Sequence, residues 1–407
     1  MKKLNPFFIF GISLSAILFL YSFHFSVLYP NLTPDFVFML LVIVCLFWLA
    51  NKMWKLVISS FNSHIGYWNQ LSIKNAQALT VISVIGTLIE GIYSRGFPLL
   101  GHYSEQITYG IPTFHIFIVV YISFLITLIF NSQVFYNSTK YKYLIALNTF
   151  CLLLGLSRSV LIITFLNCMW IYLFNKKLSK SKKISFFAVI VLCLYIFGIF
   201  GNYRSNMQQE MRNNSIFDSS YIFNVGGAND KVRENPILGP FYWSYLYTTS
   251  PIANFQTLVS GENVRDGSIK PKDIYTQFVS EIITKRIDPL FNIPNGNQYQ
   301  INNALNVSTI FYKPYYILGY LGISMMIMYM LILPFIYILL ISKFFPNFFE
   351  IGVALLNTTY MLNLFDNMFS FSITSVMLIM PFIVGIINNL FKKKLDYGKN
   401  FSNNSNI

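Results

Sequence analysis

The 407-residue chain is 55% hydrophobic, 18% aromatic and only 11% charged, against roughly 25% charged residues in an average globular protein. Apolar runs of roughly 15 to 27 residues recur along it, which excludes a soluble globular domain and predicts an all-α polytopic membrane protein. The net charge of +14 does not indicate a nucleic-acid partner, because basic residues in a membrane protein first define its topology.

In chain order, the apolar runs predict about ten transmembrane helices, within a range of about 10 to 12. They are residues 7–28, 36–50, 76–93, 113–130, 143–157, 159–174, 184–201, 315–341, 348–364 and 371–390. Residues 51–75 are interpreted as an interfacial helix or a further span. Since the first run is too long for a signal peptide, we expect a retained first helix.

The domain plan follows from these runs. Residues 1–201 form about seven N-terminal transmembrane helices, and residues 202–314 form one large external loop with amphipathic helices. Residues 315–391 add about three C-terminal helices, and residues 392–407 form a cytoplasmic tail. All four cysteines lie in apolar runs, so the sequence predicts no disulfide and no metal cluster.

The lysines of the short loops fall on one side when the spans alternate, which predicts that both termini are cytoplasmic. The arginines fall on the other, external side: Arg95, Arg158, Arg204, Arg212, Arg233, Arg265 and Arg286. A planar guanidinium binds phosphate or carboxylate through two hydrogen bonds. This pattern favours an external anion site, although retention of lysine inside would also leave arginine outside by default.

One arginine lies at the tip of a short hairpin. Only 33 residues separate Lys142 from Lys176, whereas two full membrane crossings need about 40. We therefore expect the tip, with Arg158, to be recessed in the outer leaflet. A charge there requires a polar cavity or a partner, unless the side chain extends to the lipid head groups.

Two stretches of the polar loop have helical patterns. Residues 273–287 place Ile274, Phe278 and Ile282 on one face, which suits a helix lying on the membrane surface or on the bundle. Residues 241–259 are aromatic and include Tyr242, Trp243 and Tyr245. They are interpreted as an interfacial belt helix or as a platform on which sugar rings stack.

Motifs for nucleotide binding and metal catalysis are lacking. The sequence has no P-loop, dinucleotide fingerprint, HExxH or Ser-His-Asp spacing, and no Asp-x-Asp pair, so we expect no cofactor and no metal. The four histidines are interpreted as structural, and only His102, near Glu105, is placed to transfer protons in an external loop. Glu90, near the external end of the third span, is one of few ionisable residues in the spans, which disfavours an ion-coupled transporter.

Four stretches resemble bacterial oligosaccharide repeat-unit polymerases, the Wzy or O-antigen polymerase family. They are GLSRS (residues 155–159), FGNYRS (200–205), YLYTTSPIANFQ (245–256) and NVSTIFYKPYYILGYLG (306–322). The stretches occur in the family's order, and the topology agrees over nearly the whole chain. The chain departs from the family in having no acidic residue just before the Gly-x-x-Gly of the last stretch and no Arg-x10-Gly repeat.

The resemblance implies a GT-C-like glycosyltransferase of the bacterial inner membrane. Such an enzyme transfers a growing glycan from undecaprenyl pyrophosphate to an incoming lipid-linked repeat unit of O-antigen or capsule. Its partners would be the lipid-linked oligosaccharide, membrane lipids, a chain-length regulator and a flippase, with no nucleic acid. The residues assigned on this basis are Arg158, Arg204 and Arg286 for pyrophosphate, Glu210 and Asp218 for proton abstraction, and Tyr242, Trp243 and Tyr245 for sugar.

Two other functions compete with this one. An O-antigen ligase shares the donor and the external loop but transfers the glycan to the lipid A core. A flippase for lipid-linked oligosaccharides should show two similar halves, short loops and charges inside the bundle. The single long loop and the lack of an internal repeat favour an enzyme over a transporter.

Overall fold

The structure is a computed structural model that describes residues 4–61, 71–100, 109–176, 179–208, 215, 217–235, 237–261, 274–287 and 299–404. Over these residues the chain is helical and contains no strand beyond one isolated bridge between Ser26 and Ala228. The helices are α1 Pro6–Tyr21, α2 Pro34–Phe61, α3 Ile73–Tyr93, α4 Phe114–Tyr136, α5 Thr139–Leu154, α6 Arg158–Asn175, α7 Lys180–Gln208, α8 Ser220–Val225, α9 Asp230–Arg233, α10 Leu238–Ser260, α11 Glu281–Ile287, α12 Tyr312–Leu318, α13 Tyr320–Phe344, α14 Phe349–Leu362 and α15 Ser372–Asn404.

Six of the described helices are long and apolar enough to cross a membrane. Their apolar segments are Pro34–Ser59, Ile73–Tyr93, Phe114–Tyr136, Lys180–Tyr203, Tyr320–Phe344 and Ser372–Leu390. The expected all-α membrane class is confirmed at this level. The count is lower than ten because α1, α5, α6 and α14 have only 14 to 18 residues, short of the roughly 20 that a full crossing needs.

Two helix boundaries differ from the sequence prediction. Helix α1 ends at Tyr21, whose hydroxyl donates to the carbonyl of Pro30 at 2.7 Å, so the chain folds back instead of continuing as helix to residue 28. Helix α2 continues past residue 50 to Phe61. Polar Asn51 does not end it, because its side chain is buried and accepts a hydrogen bond from Asn5 at 2.8 Å.

The predicted span 315–341 is two helices in the structure. Helix α12 ends at Leu318 and α13 begins at Tyr320. Between them, Gly319 has φ 60° and ψ −143°, a conformation that essentially only glycine adopts. The break lets α12 turn away from the axis of α13.

Helices joined by short connections run in opposite directions, which defines two ends of the bundle. We call the end with Arg95, Arg158 and Arg286 the arginine end, and the end with Lys74 and Lys343 the lysine end. The charge pattern predicts the arginine end to be external.

Aromatic side chains of three helices form the centre of the core. Phe10 of α1 lies 4.4 Å from Phe47 of α2, measured between ring centroids, and both rings contact Tyr360 of α14. Nearly every residue of α14 is buried, so this short helix is central in the bundle. Because lipid tails are as apolar as these rings, the association of helices in a bilayer depends on such close packing.

The polar segment between α7 and α12 contains a helix that packs against the bundle. Helix α10 lies along the outer half of α7, and two glycines of α7 permit the close approach. A side chain at Gly198 would collide with the carbonyl of Pro240, and one at Gly201 would meet the ring of Trp243. In the described part of this segment, α10 is thus a buried structural helix, and the segment is not a separate domain.

Candidate functional site at the arginine end

A buried carboxylate and an imidazole meet where α3 ends and α4 begins. The carboxylate oxygens of Glu90 lie 3.0 and 3.1 Å from Nδ1 of His115. The side chain of Glu90 is 3% exposed and that of His115 is 27% exposed. The pair therefore has a buried acidic member and a partly open imidazole.

The backbone around this pair adopts unusual conformations. Gly110 has φ 91°, and a Cβ there would lie 2.7 Å from Nδ1 of His115 and 2.9 Å from Oε1 of Glu90. Its amide donates to the hydroxyl of Ser94 at 2.9 Å, which fixes the loop to the end of α3. Thr113 and Arg95, both non-glycine residues, also have positive φ, at 74° and 58°. Such conformations cost about 1 to 3 kcal/mol each and cluster at functional sites.

Tyr109 connects the pair to the hairpin tip. Its ring stands edge-on to the imidazole of His115, with centroids 5.6 Å apart, and a Cβ on Gly155 would lie 3.2 Å from its Cε1 atom. Its hydroxyl is buried and has no hydrogen-bond partner among the described residues. Burial and the neighbouring Glu90 carboxylate raise the pKa of Tyr109 to about 12.

Arg286 reaches the same corner from the polar loop. Its guanidinium is exposed and donates to the hydroxyl of Thr113, two residues before His115. Its helix, α11, is held to the bundle by a bond from the amide of Glu281 to the carbonyl of Ser370 at 2.8 Å. The predicted amphipathic stretch 273–287 is thus partly helical in its described portion and lies on the bundle.

The hairpin tip contributes Arg158, which is the first residue of α6. The preceding turn includes Leu156 at φ 48°, a third non-glycine residue with positive φ in this corner. The side chain of Arg158 lies outside the described part, so its predicted contact with an anion stays a prediction.

Arg204 and Asp218 lie in a second group, beside α10. Arg204 is in the last turns of α7, and its side chain is outside the described part. Asn202 joins the two segments, because its amide donates to the hydroxyl of Ser219 at 2.8 Å. Asp218 accepts a hydrogen bond from the amide of Ser220 at 2.9 Å. Glu210 lies outside the described residues.

The three aromatic residues assigned to sugar binding have structural contacts. Tyr242 and Tyr245 are buried and stack with centroids 5.9 Å apart. The hydroxyl of Tyr242 donates to the carbonyl of Gly226 at 2.7 Å. Trp243 is half-buried, and its Nε1 donates to Asn202 at 2.7 Å. In this structure the rings of Tyr242 and Tyr245 are packed within the protein and have no open face for a sugar.

Two of the stretches that carry the family resemblance fold against each other. Asn254, in stretch 245–256, donates to the carbonyls of Leu305 and Val307 at 2.6 and 2.7 Å. The rings of Phe255 and Phe311 stack at 6.3 Å. The stretches 245–256 and 306–322 therefore form one packed unit.

A cavity of about 930 Å³ lies at the opposite, lysine end. Tyr121, Phe345 and Ile383 contribute to its mainly apolar lining. The described residues contain no group of three or more His, Cys, Asp or Glu that could hold a metal ion. The ionisable groups that the structure brings together are those of the arginine end.

Comparison with other proteins does not assign a family: no family model, no curated protein and no solved structure matches the chain. The class of protein is therefore defined by the fold alone, an all-helical bundle with six membrane-length apolar helices among its described residues. Any function must be argued from the residues and their geometry.

The sequence indicates half of the central pair. Its pattern marks Glu90 as an ionisable residue near the external end of a span, whereas His115 has no feature in the sequence that distinguishes it from a structural histidine. A signal for the pairing does exist in the sequence. Glu90 lies one turn before the end of α3 and His115 at the start of α4, so two consecutive antiparallel helices bring them to the same depth.

Proposed function

We propose that this protein is a GT-C-like glycosyltransferase that polymerises oligosaccharide repeat units linked to undecaprenyl pyrophosphate. It would transfer the growing glycan to the non-reducing sugar of an incoming repeat unit, on the external face of the bacterial inner membrane, with both termini cytoplasmic. The observation that supports this best is the docking of Arg286 onto Thr113. This contact joins the long polar loop to the corner formed by α3, α4 and the hairpin tip.

The chemistry of such a transfer fits this corner. When the bond between the sugar and the lipid pyrophosphate breaks, negative charge develops on the leaving group. Preorganised cationic donors in a water-poor site stabilise that charge, and a guanidinium does so without a metal ion. Arg286 reaches the corner from α11, α6 begins there at Arg158, and Arg204 would contribute from α7 if the lipid pyrophosphate extends toward α10.

The remaining parts of the proposal come from the resemblance. A flippase would deliver the lipid-linked units, and a chain-length regulator would set the length of the polymer. Glu210 and Asp218 remain the candidates for the acceptor base that the sequence alone offers, and Tyr242, Trp243 and Tyr245 its candidates for sugar contact. The buried positions of Tyr242 and Tyr245 limit a sugar-stacking role in this conformation to Trp243.

The test uses a strain that lacks the gene and carries a plasmid copy. The polymerase proposal predicts that deletion leaves lipopolysaccharide or capsule precursors with a single repeat unit, and that wild type restores the ladder on a gel. Arg286→Ala should fail to restore it, and Arg286→Lys should restore it poorly because a point charge does not replace the planar fork. Lys285→Ala is the matched control, since Lys285 is exposed and its ion pair among the described residues is with Glu281, at 2.7 Å.

Each other outcome has a defined meaning. If deletion removes even the single repeat, a ligase or a flippase is favoured over a polymerase. If deletion leaves the full ladder, the protein has none of these functions. If Arg286→Ala, at normal expression, restores a full ladder, the assignment of Arg286 to pyrophosphate is wrong.

A further inference from the structure

We propose that His115 is the catalytic base that deprotonates the acceptor hydroxyl, and that Glu90 is its positioning residue. The inference rests on the proposed function, and in it His115 takes the role of base in place of Glu210 and Asp218. It stands on the geometry of the pair, in which a carboxylate that is 3% exposed holds one nitrogen of an imidazole that is 27% exposed.

The hydrogen bond fixes the chemistry of the ring. Both oxygens of Glu90 face Nδ1 of His115, at 3.0 and 3.1 Å, and because a carboxylate only accepts hydrogen bonds we assign the proton of the neutral ring to Nδ1. The neutral ring then has its lone pair on Nε2, for which the described residues provide no hydrogen-bond partner. A buried carboxylate that orients an imidazole in this way also stabilises the imidazolium formed when the ring takes up a proton, as in the Ser-His-Asp arrangement.

Other ionisable groups face the pair from each neighbouring element. From the loop before α4, Tyr109 contacts the imidazole ring, and from α5 Cys151 lies near Tyr109. Arg286 of α11 approaches through Thr113. Arg95 follows the end of α3, and Arg158 begins α6.

The corner therefore combines a base with cations. Arg95, Arg158 and Arg286 lie on or close to the elements that frame the pair. Among the described residues, the acidic group in direct contact with His115 is Glu90. An anionic donor substrate would be attracted to such a corner, and its pyrophosphate would be held within reach of the same residues. The acceptor hydroxyl would then approach Nε2 from the open side of the ring.

The step balances without a further reactant. The oxygen of the acceptor hydroxyl forms a bond to C1 of the donor sugar while its proton passes to Nε2 of His115. The bond between C1 and the pyrophosphate oxygen breaks, and undecaprenyl pyrophosphate leaves with the electron pair. The imidazolium later releases its proton to water on the external side.

Asp218 is less suited to this task because of its contacts and its position. One of its carboxylate oxygens accepts the amide of Ser220 at 2.9 Å, as in the start of a short helix. It belongs to the group beside α10, whereas the hairpin tip and Arg286 adjoin the Glu90–His115 pair.

The experiment uses membranes that contain the full chain. The probe is the pool of lipid-linked repeat units extracted from the strain that lacks this gene, and the readout is the initial rate of polymer formation between pH 5 and pH 9. His115→Asn keeps a donor near the position of Nδ1 but has no second ring nitrogen, and Glu90→Gln keeps the shape of the carboxyl group. Glu350→Gln is the matched control, because Glu350 is a half-buried carboxylate that accepts from Asn175 at the lysine end.

We expect His115→Asn to lower the maximal rate about 10²-fold or more, with little change in the concentration of probe at half-maximal rate. Glu90→Gln should lower it by about 10²- to 10⁴-fold and should alter the acidic limb of the pH profile. Glu350→Gln should leave both the rate and the profile close to wild type. A purely structural role of His115 predicts instead that His115→Asn, which retains the hydrogen bond to Glu90, is active with the wild-type profile, and that result would overturn the inference.

The failures of the two proposals are distinguishable. If wild type polymerises the probe and His115→Asn does so equally well, the base assignment is wrong and the proposed function stands. If wild type leaves the probe unchanged, the proposed function falls and the role of His115 falls with it.

A chemical readout tests the open nitrogen directly. Diethyl pyrocarbonate acylates unprotonated imidazole nitrogens, and mass spectrometry of peptides separates His115 from the other three histidines. We expect modification of His115 and protection by the lipid-linked probe. An unmodified His115 in folded protein would show that Nε2 is not accessible and would overturn the inference.

Discussion

Asn254 is the clearest place to test whether the polar segment is fixed to the bundle as the structure shows. Its side chain is fully buried in α10. The amide nitrogen donates to the carbonyls of Leu305 and Val307 at 2.6 and 2.7 Å, and the amide oxygen accepts from the backbone of Ile301 at 2.9 Å. One side chain thus satisfies three backbone groups of a segment about 50 residues away in sequence.

Replacing Asn254 with leucine removes all three bonds and keeps the branched outline of the side chain. Each backbone group that is left buried without a partner costs about 1 to 3 kcal/mol. Ile301 and Val307 are only half-buried, so water can partly replace their lost bonds and the lower end of the range applies. The expected loss is about 3 kcal/mol in the free energy of unfolding.

The assay is thermal denaturation of the full chain purified in detergent, followed by intrinsic fluorescence. Asn254→Leu should lower the midpoint by roughly 5 °C. Asn303→Leu is the control, because it is the same substitution at an exposed position of the same segment. Equal midpoints for the two variants would refute the reasoning, since they would show that the bonds of Asn254 do not hold the segment.

Two further predictions concern helix packing and pH. Gly198→Ala should destabilise the protein by about 1 to 3 kcal/mol, because the new methyl group meets the carbonyl of Pro240. Gly11→Ala is the control and should be neutral, since the atom nearest to a Cβ there lies 3.6 Å away. Equal thermal midpoints for the two variants would contradict this prediction. The second prediction concerns Tyr109, whose pKa is raised to about 12 by burial and by Glu90. Above a pH of about 10, the tyrosine of the unfolded chain ionises while Tyr109 of the folded protein is still neutral. Wild type should therefore lose stability relative to Tyr109→Phe as the pH rises from about 10 to about 12, and parallel melting curves across that window would refute the assignment.

The sequence predicted the class of the fold well because hydropathy is a local property. The span predicted at 113–130 coincides with the first part of helix Phe114–Tyr136 to within one residue. The span predicted at 76–93 lies within helix Ile73–Tyr93. Ends of helices were predicted less well. Gly319 ends α12 through its own backbone conformation, and Asn51 continues α2 because Asn5 satisfies its side chain. Neither reason can be recognised from composition.

The aromatic stretch 241–259 shows what composition leaves open. Composition cannot distinguish an aromatic helix in the interfacial belt from one buried against other helices, because both are rich in Tyr and Trp. The structure buries Tyr242 and Tyr245 against each other and against the loop that follows α1. Gly198 and Gly201 of α7 permit the close approach of the same helix at Pro240 and Trp243.

The sequence by itself determined that this is a helical membrane protein and predicted that its arginines lie on one side, since span length and loop charge are set by the bilayer and are written along the chain. Only the tertiary structure decided which of its polar side chains meet. Glu90 and His115 are 25 residues apart, and Arg286 and Thr113 are 173 residues apart. Contacts of this kind depend on how helices pack and where a loop docks, and the free energy that selects them comes from the whole bundle rather than from any one stretch.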